Sequence, residues 1–233
     1  MREALGFLTV LGGASTPTPR ALRWFPVVGA AVGALVGVAW WASAQVFPLL
    51  VAAALAVVAD LAITGLLHAD GLADAADGLL PHAARERRLE IMRTADVGAF
   101  GIAALGAALL LRFAGFATQA PDVAVVAAIW CASRTLVAVA PAWIPYARDT
   151  GAASPMLTAK NPRWPVVGIL PAAGLAVLGV GLPGLAAVAG TLLAGIGVLL
   201  LGRARIGGFT GDVLGAAIIV GETIGIVIAG ARW

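Results

Sequence analysis

Between Pro26 and Gly230 the chain runs through seven apolar stretches of roughly twenty residues, and short loops between them carry most of the charge. A helix of about 20 apolar residues crosses a hydrocarbon core about 30 Å thick. The stretches are Pro26–Phe47, Pro48–Leu67, Gly98–Thr118, Val123–Trp143, Pro165–Leu182, Gly184–Gly202 and Val213–Gly230. Only 12% of the 233 residues are charged and 61% are hydrophobic, whereas soluble domains carry roughly 25% charge. The expected fold is therefore all-α, a polytopic integral membrane helix bundle with about seven transmembrane helices. One domain, 1–233, is expected, with an interfacial segment over 1–25 and the bundle over 26–230.

The remaining composition excludes several chemistries. The formal charge of +3 comes without a basic patch interleaved with aromatics, so no nucleic acid is expected as a partner. Cys131 is the only cysteine and sits in an apolar stretch, where it reads as a small packed hydrophobe. With His68 and His82 as the only histidines, neither a zinc site nor a disulfide can be built. The apolar piece Leu5–Leu11 is short and runs into GGASTPTPR, so it reads as interfacial, anchored by Phe7 and Leu8, and not as a cleavable signal peptide. Gly29, Gly33 and Gly37 repeat at small-xxx-small spacing and predict a close helix contact.

Basic residues alternate between the two sides. Arg2, Arg20 and Arg23 precede the first stretch, and Arg85, Arg87, Arg88 and Arg93 follow the second. Arg148, Lys160 and Arg163 follow the fourth, and Arg203 and Arg205 the sixth. The positive-inside rule then puts the N-terminus and all of these loops in the cytoplasm. Asp70, Asp74, Asp77, Asp96, Asp149 and Asp212 fall on the same side. A transporter more often gathers its ionisable groups near the midplane, so this geography favours an enzyme at the membrane boundary.

The run HADGLADAADG, His68 to Gly78, is the sharpest local feature. On one helix Asp70, Asp74 and Asp77 would fall within an arc of roughly 60°. Like charges so placed repel, and magnesium, one or two ions, would turn the repulsion into oxygen coordination suited to phosphoryl chemistry. The plain alternative is a solvated acidic helix end paired with Arg85, Arg87 and Arg88. Asp60 and Thr64 lie beside the trio on the same projected helix, Asp60 as a supporting group, and His68 as a helix-end polar group or a proton shuttle.

A second constellation is GGFTGDVLGA, Gly207 to Ala216. Gly208, Thr210 and Gly211 could present backbone N–H groups to a phosphate at the start of the last helix, with Asp212 as a further metal ligand or as an N-cap. Glu222, deeper in that helix, needs a partner. So does Arg134 in the fourth stretch, which pairs with Asp60 or Glu222 or contacts phosphate. Arg148 is a fork for phosphate or a positive-inside anchor. Arg93 is a further phosphate candidate, and Glu90 and Asp96 are candidate polar walls.

Taken in order, HADGLADAADG, LEIMRTADVGAFG, SRTLVAVAPAWIPYARDTG and GGFTGDVLGA with Glu222 resemble the cobalamin synthase family, the adenosylcobinamide-GDP ribazoletransferases. The early FLT (Phe7–Thr9) and WFPVVGA (Trp24–Ala30) belong to the same resemblance. It implies a magnesium-dependent, multi-pass enzyme of the bacterial inner membrane with its active site on the cytoplasmic side. Its substrates would be adenosylcobinamide-GDP and α-ribazole or its 5′-phosphate, joined with release of GMP in the last steps of cobalamin biosynthesis. The lipid bilayer is the expected surrounding, and self-association stays open. This chain departs from the family at Arg93-Thr94-Ala95-Asp96, where many members carry lysine-aspartate-serine-arginine. After Thr9 it also lacks their arginine-leucine-proline, so a phosphate contact there would pass to Arg20 or Arg23. By analogy with CDP-alcohol phosphotransferases, Asp77 is the expected general base, with Asp70 and Asp74 beside it. The alternatives are such a phosphotransferase itself, whose full motif is missing, or an ion-coupled transporter using Asp60, Arg134 and Glu222.

Overall fold

The computed structural model describes residues 1–13, 18–148, 151 and 167–232. Asp149, Lys160, Arg163 and the expected helix start at Pro165 lie outside the described residues. All seven apolar stretches are helical: α2 (Phe25–Ala44), α3 (Leu49–Thr64), α6 (Ala99–Ala117), α7 (Val123–Val139), α8 (Ile169–Val180), α9 (Leu182–Ile206) and α10 (Gly211–Ala229). Three shorter helices accompany them: α1 (Arg2–Leu8), α4 (Leu67–Leu79) and α5 (Arg85–Ile91). The described residues contain no strand, only an isolated bridge between Tyr146 and Phe209.

Five of the helices are long and apolar enough to cross a membrane, and α3 reaches that length only together with α4. The described helix α8 has 12 residues, short of the roughly 20 a crossing needs. Chain direction alternates as the basic loops imply. The starts of α2, α6, α8 and α10 and the ends of α3, α7 and α9 share one end of the bundle.

A single long helix through the aspartate trio does not form. Gly65 (φ +59°) and Leu66 (φ +61°) both adopt the left-handed conformation, and α4 leaves α3 at 89°. Gly65 takes that conformation without a Cβ penalty, whereas Leu66 is strained. Asp60 and Thr64 therefore belong to a different helix axis from Asp70, Asp74 and Asp77. The shared strip read from the projection is replaced by an elbow.

Helix α7 is the central post: 83% of its apolar window is buried, against 28% for α6. It packs antiparallel on α2 through the glycine stripe, as the spacing predicted. A Cβ on Gly29 would lie 2.5 Å from the Trp130 carbonyl oxygen. One on Gly33 would lie 2.7 Å from Trp130 Cβ and from the Val126 oxygen, and one on Gly37 2.9 Å from Val123 Cα. Gly33→Leu is expected to lower stability by about 1–3 kcal/mol through overpacking. Gly197→Leu, where a Cβ meets nothing within 4 Å, is expected to be near neutral; unfolding of both variants in mixed micelles checks the contrast.

The N-terminal helix is tied to protein. Leu8 is buried and so does not serve as the lipid anchor expected of it, and the half-buried Phe7 stacks on Phe25 at 5.8 Å between centroids. Cys131 is buried, in accord with its packing role.

Candidate active site

Helices α4 and α10 cross where neither has a side chain in the way. A Cβ on Gly71 would stand 3.1 Å from the Asp212 carbonyl oxygen and 3.3 Å from Gly215 Cα. This crossing brings the first two aspartates of α4 to the start of α10. Asp70 is exposed and Asp74 half-buried, and Asp74 lies within electrostatic reach of Asp70, Asp212, Arg148 and Asp77. Neither Asp70 nor Asp74 has a hydrogen bond or ion pair among the described residues. Also among the described residues, no three His, Cys, Asp or Glu side chains converge into a ready metal cage.

Arg148 reaches Asp212 through a short backbone splice. The Ala147 N–H donates to the Phe209 oxygen and the Phe209 N–H to the Pro145 oxygen, each at 2.9 Å. Gly208 permits that approach, since a Cβ there would lie 2.2 Å from the Pro145 oxygen. Arg148 Nη2 then donates to Asp212 Oδ2 at 2.9 Å and to the Met92 oxygen at 3.2 Å. Its Nε is buried without a partner, an unused donor beside the carboxylates. The N-cap of α10 is Thr210, whose oxygen accepts from Val213 N–H at 3.3 Å and whose hydroxyl donates to Asp212 Oδ2 at 3.1 Å. Asp212 sits in the first turn, not at the cap. Gly211 has open space around it.

Asp77 faces elsewhere. Its Oδ2 accepts the Gly98 N–H at 2.7 Å and its Oδ1 the Gly101 N–H at 2.9 Å. Both oxygens thus satisfy amides at the start of α6, which carries positive partial charge. The three arginines that might have solvated the acidic helix end are also engaged elsewhere. Arg88 is buried and donates to the carbonyls of Gly78 (2.9 Å), Leu79 (2.6 Å) and Ala83 (2.9 Å), closing the end of α4. Arg85 donates to the Ile206 and Ala147 oxygens, each at 2.9 Å, and so clamps the end of α9 to the Arg148 loop. Arg87 pairs with Glu90 at 2.7 Å on the exposed face. Glu90 is thereby committed outside the crossing, and Arg93 and Asp96 are exposed.

A separate ionic cluster lies wholly inside the bundle. Arg112 of α6 pairs with Asp60 and, at 3.1 Å, with Glu222. Arg134 of α7 also pairs with Glu222. Trp130 Nε1 donates to Asp60 at 3.0 Å, and Ser133 donates to Glu222 at 2.8 Å. Two cations and two anions balance with all four side chains about 2% exposed or less. Arg134, expected also at phosphate, is shut away here, and Glu222 and Asp60 are its neighbours. Four groups so paired make a poor carrier relay. Sequence reading missed Arg112, although a lone charge within an apolar stretch is itself the signal for such a partner. His68 is buried on the α4–α10 contact, with Nε2 unpartnered.

Known proteins resemble this chain along nearly its whole length. The family model described as cobalamin-5-phosphate synthase (CobS) matches residues 1–230. An adenosylcobinamide-GDP ribazoletransferase of Bradyrhizobium diazoefficiens is 37% identical, covering 99% of this chain and 93% of its own. One from Ralstonia nicotianae is 39% identical over 85% of this chain and 79% of its own, and one from Chlorobaculum tepidum 37% identical over 84% and 80%. No solved structure matches it. The acidic crossing of α4 and α10, the arginine loop that meets it and the motif order thus sit in a chain that belongs to the cobalamin-5-phosphate synthase family.

Proposed function

We propose that this protein is an adenosylcobinamide-GDP ribazoletransferase, joining that nucleotide-activated corrinoid to α-ribazole or its 5′-phosphate with release of GMP. The observation that carries the reading is the meeting of Asp70 and Asp74 with the Arg148–Asp212 pair, in a chain whose relatives bear that name.

The donor set fits magnesium of a particular kind. A magnesium ion takes one or two carboxylates and fills its remaining sites with water and substrate phosphates. Two carboxylates at the crossing, Asp70 exposed and Asp74 half-buried, suit that mode. Asp70 and Asp74, with Asp212 beside them, would hold the ion, which when bound neutralises phosphate charge.

The chain's own groups divide the remaining tasks. Arg148, anchored on Asp212 through Nη2, holds its guanidinium charge beside the carboxylates, where it attracts and aligns the diphosphate. The first-turn amides of α10 offer a second anion contact. The ribazole hydroxyl oxygen bonds to the phosphorus on the corrinoid arm as the bond to the GMP oxygen breaks. Asp74 receives the hydroxyl proton; Asp77, with both oxygens on α6, keeps that helix in place. This arrangement supports moving the base from Asp77 to Asp74. The basic loops support a cytoplasmic N-terminus and a site facing the cytoplasm of a bacterial inner membrane.

Purified protein supplied with both substrates is expected to release GMP, to stop when divalent cations are chelated, and to resume when magnesium is returned. Turnover at full rate in excess chelator would remove the ion from the reading.

A further inference from the structure

Two cavities at the N-terminal end of α2 share one wall, Arg23. The first, about 410 Å³, is lined by Arg20, Arg23 and Trp24 together with Thr18, Glu3 and Met1. The second, about 330 Å³, runs between α2, α7 and α8 and is lined, apart from Arg23, by apolar side chains and backbone, including Val27, Cys131 and Pro171. We propose that together they hold one anionic phospholipid, its phosphate over Arg20 and Arg23 and an acyl chain in the apolar cavity.

Charge and shape both point to this occupant. Arg20 and Arg23 form no ion pair among the described residues, and the Arg23 guanidinium lies 5.6 Å from the Trp24 ring centroid. The only carboxylate among the described residues of the wall, Glu3, accepts the Thr18 N–H at 3.0 Å and the Thr18 hydroxyl at 2.6 Å. Thr18 is neutral and its hydrogen bonds favour the ionised carboxylate, so Glu3 offsets one charge and the two guanidiniums leave that wall with an excess of positive charge. Arg20, Arg23 and Val27 follow at spacings that put them on one exposed strip. Val27 and Val167 are 51% and 60% exposed on either side of the second cavity. Helix α2 is long and apolar enough to cross a membrane and these residues sit at its start, where a crossing helix would meet lipid headgroups. A tryptophan at that level is the usual boundary residue. A soluble phosphate ester would use only the first cavity; a lipid uses both.

Native mass spectrometry of the detergent-purified full chain, titrated with phosphatidylglycerol or phosphatidylcholine, tests the proposal. The wild-type protein should retain one phosphatidylglycerol more tightly than any phosphatidylcholine. The double variant Arg20→Gln/Arg23→Gln should weaken that first binding by about ten- to thirtyfold, the loss expected for two basic residues at an anionic headgroup. Val27→Trp, which fills the apolar cavity, should weaken it while leaving both arginines in place. Arg203→Gln/Arg205→Gln, exposed on the same end of the bundle, should leave it unchanged. Equal retention of the two lipids would overturn the site, as would equal losses in the two arginine pairs. Full competition by glycerol phosphate would assign the cavity to a soluble anion and overturn the lipid.

Discussion

Asp74→Asn is expected to cut GMP release by at least about 10³-fold while the protein still inserts and keeps its helical content. Removing one group that stabilises charge in a transition state typically costs 10²–10³-fold, and here the same side chain also takes the proton. Asn has nearly the same volume and sits on a half-buried helix position with no hydrogen bond to lose. Folding therefore has little reason to change. Asp77→Asn should behave in the opposite way. An amide can accept only through its one oxygen, so one of the α6 amides, Gly98 or Gly101, loses its partner. That variant is expected to unfold more easily by about 1–3 kcal/mol and to retain most of its turnover at low temperature. Turnover by purified, monodisperse variants, read beside their melting curves, separates the two aspartates.

Arg112→Leu is expected to have the largest effect on folding. The substitution leaves Asp60 and one oxygen of Glu222 buried without their cation. Breaking a buried ion pair by removing one partner costs about 3–5 kcal/mol, and low yield of inserted protein is the expected outcome. Removing the opposing charge as well, in Asp60→Leu/Arg112→Leu, should restore a large part of the loss. Replacing a buried pair by apolar groups of similar size is often neutral. A double-mutant cycle on unfolding in mixed micelles measures the coupling. Independent, additive losses would show that the cluster is not held as a unit. Glycerophospholipid surroundings should not change the sign, because all four groups face protein and not lipid.

Much of this fold is written locally in the chain. Hydrophobicity over twenty residues is a property of the stretch itself, so the helices at Ala99–Ala117 and Val123–Val139 begin within a residue of their expected starts. The glycine stripe of α2 is also local, and a close helix contact followed from its spacing, whereas the partner, α7, is visible only in the packing. The elbow at Gly65–Leu66 is different. Leu66 carries no turn signal, and its left-handed conformation is seen only with α4 docked on α10 and α6.

The candidate site was legible as residue types that meet at one crossing and only partly as the contacts each makes. Asp70, Asp74, Arg148 and Asp212 were identifiable because carboxylates and guanidiniums at a membrane boundary are costly without use. Asp77 looked equivalent to its neighbours, since its distinction rests on amides 21 and 24 residues away. Arg85 and Arg88 bind backbone carbonyls, which carry no residue identity in a sequence. Arg134 and Glu222 were recognised as needing partners, but Arg112 passed as one letter in an apolar run.

Product identification with the reconstituted protein tests the central claim most directly. Given adenosylcobinamide-GDP, α-ribazole and magnesium, wild-type protein in liposomes should form one ribazole-joined corrinoid for each GMP released, and neither product when either substrate is omitted. Corrinoid uptake into the liposomes without GMP, or GMP release with no joined corrinoid, would contradict it.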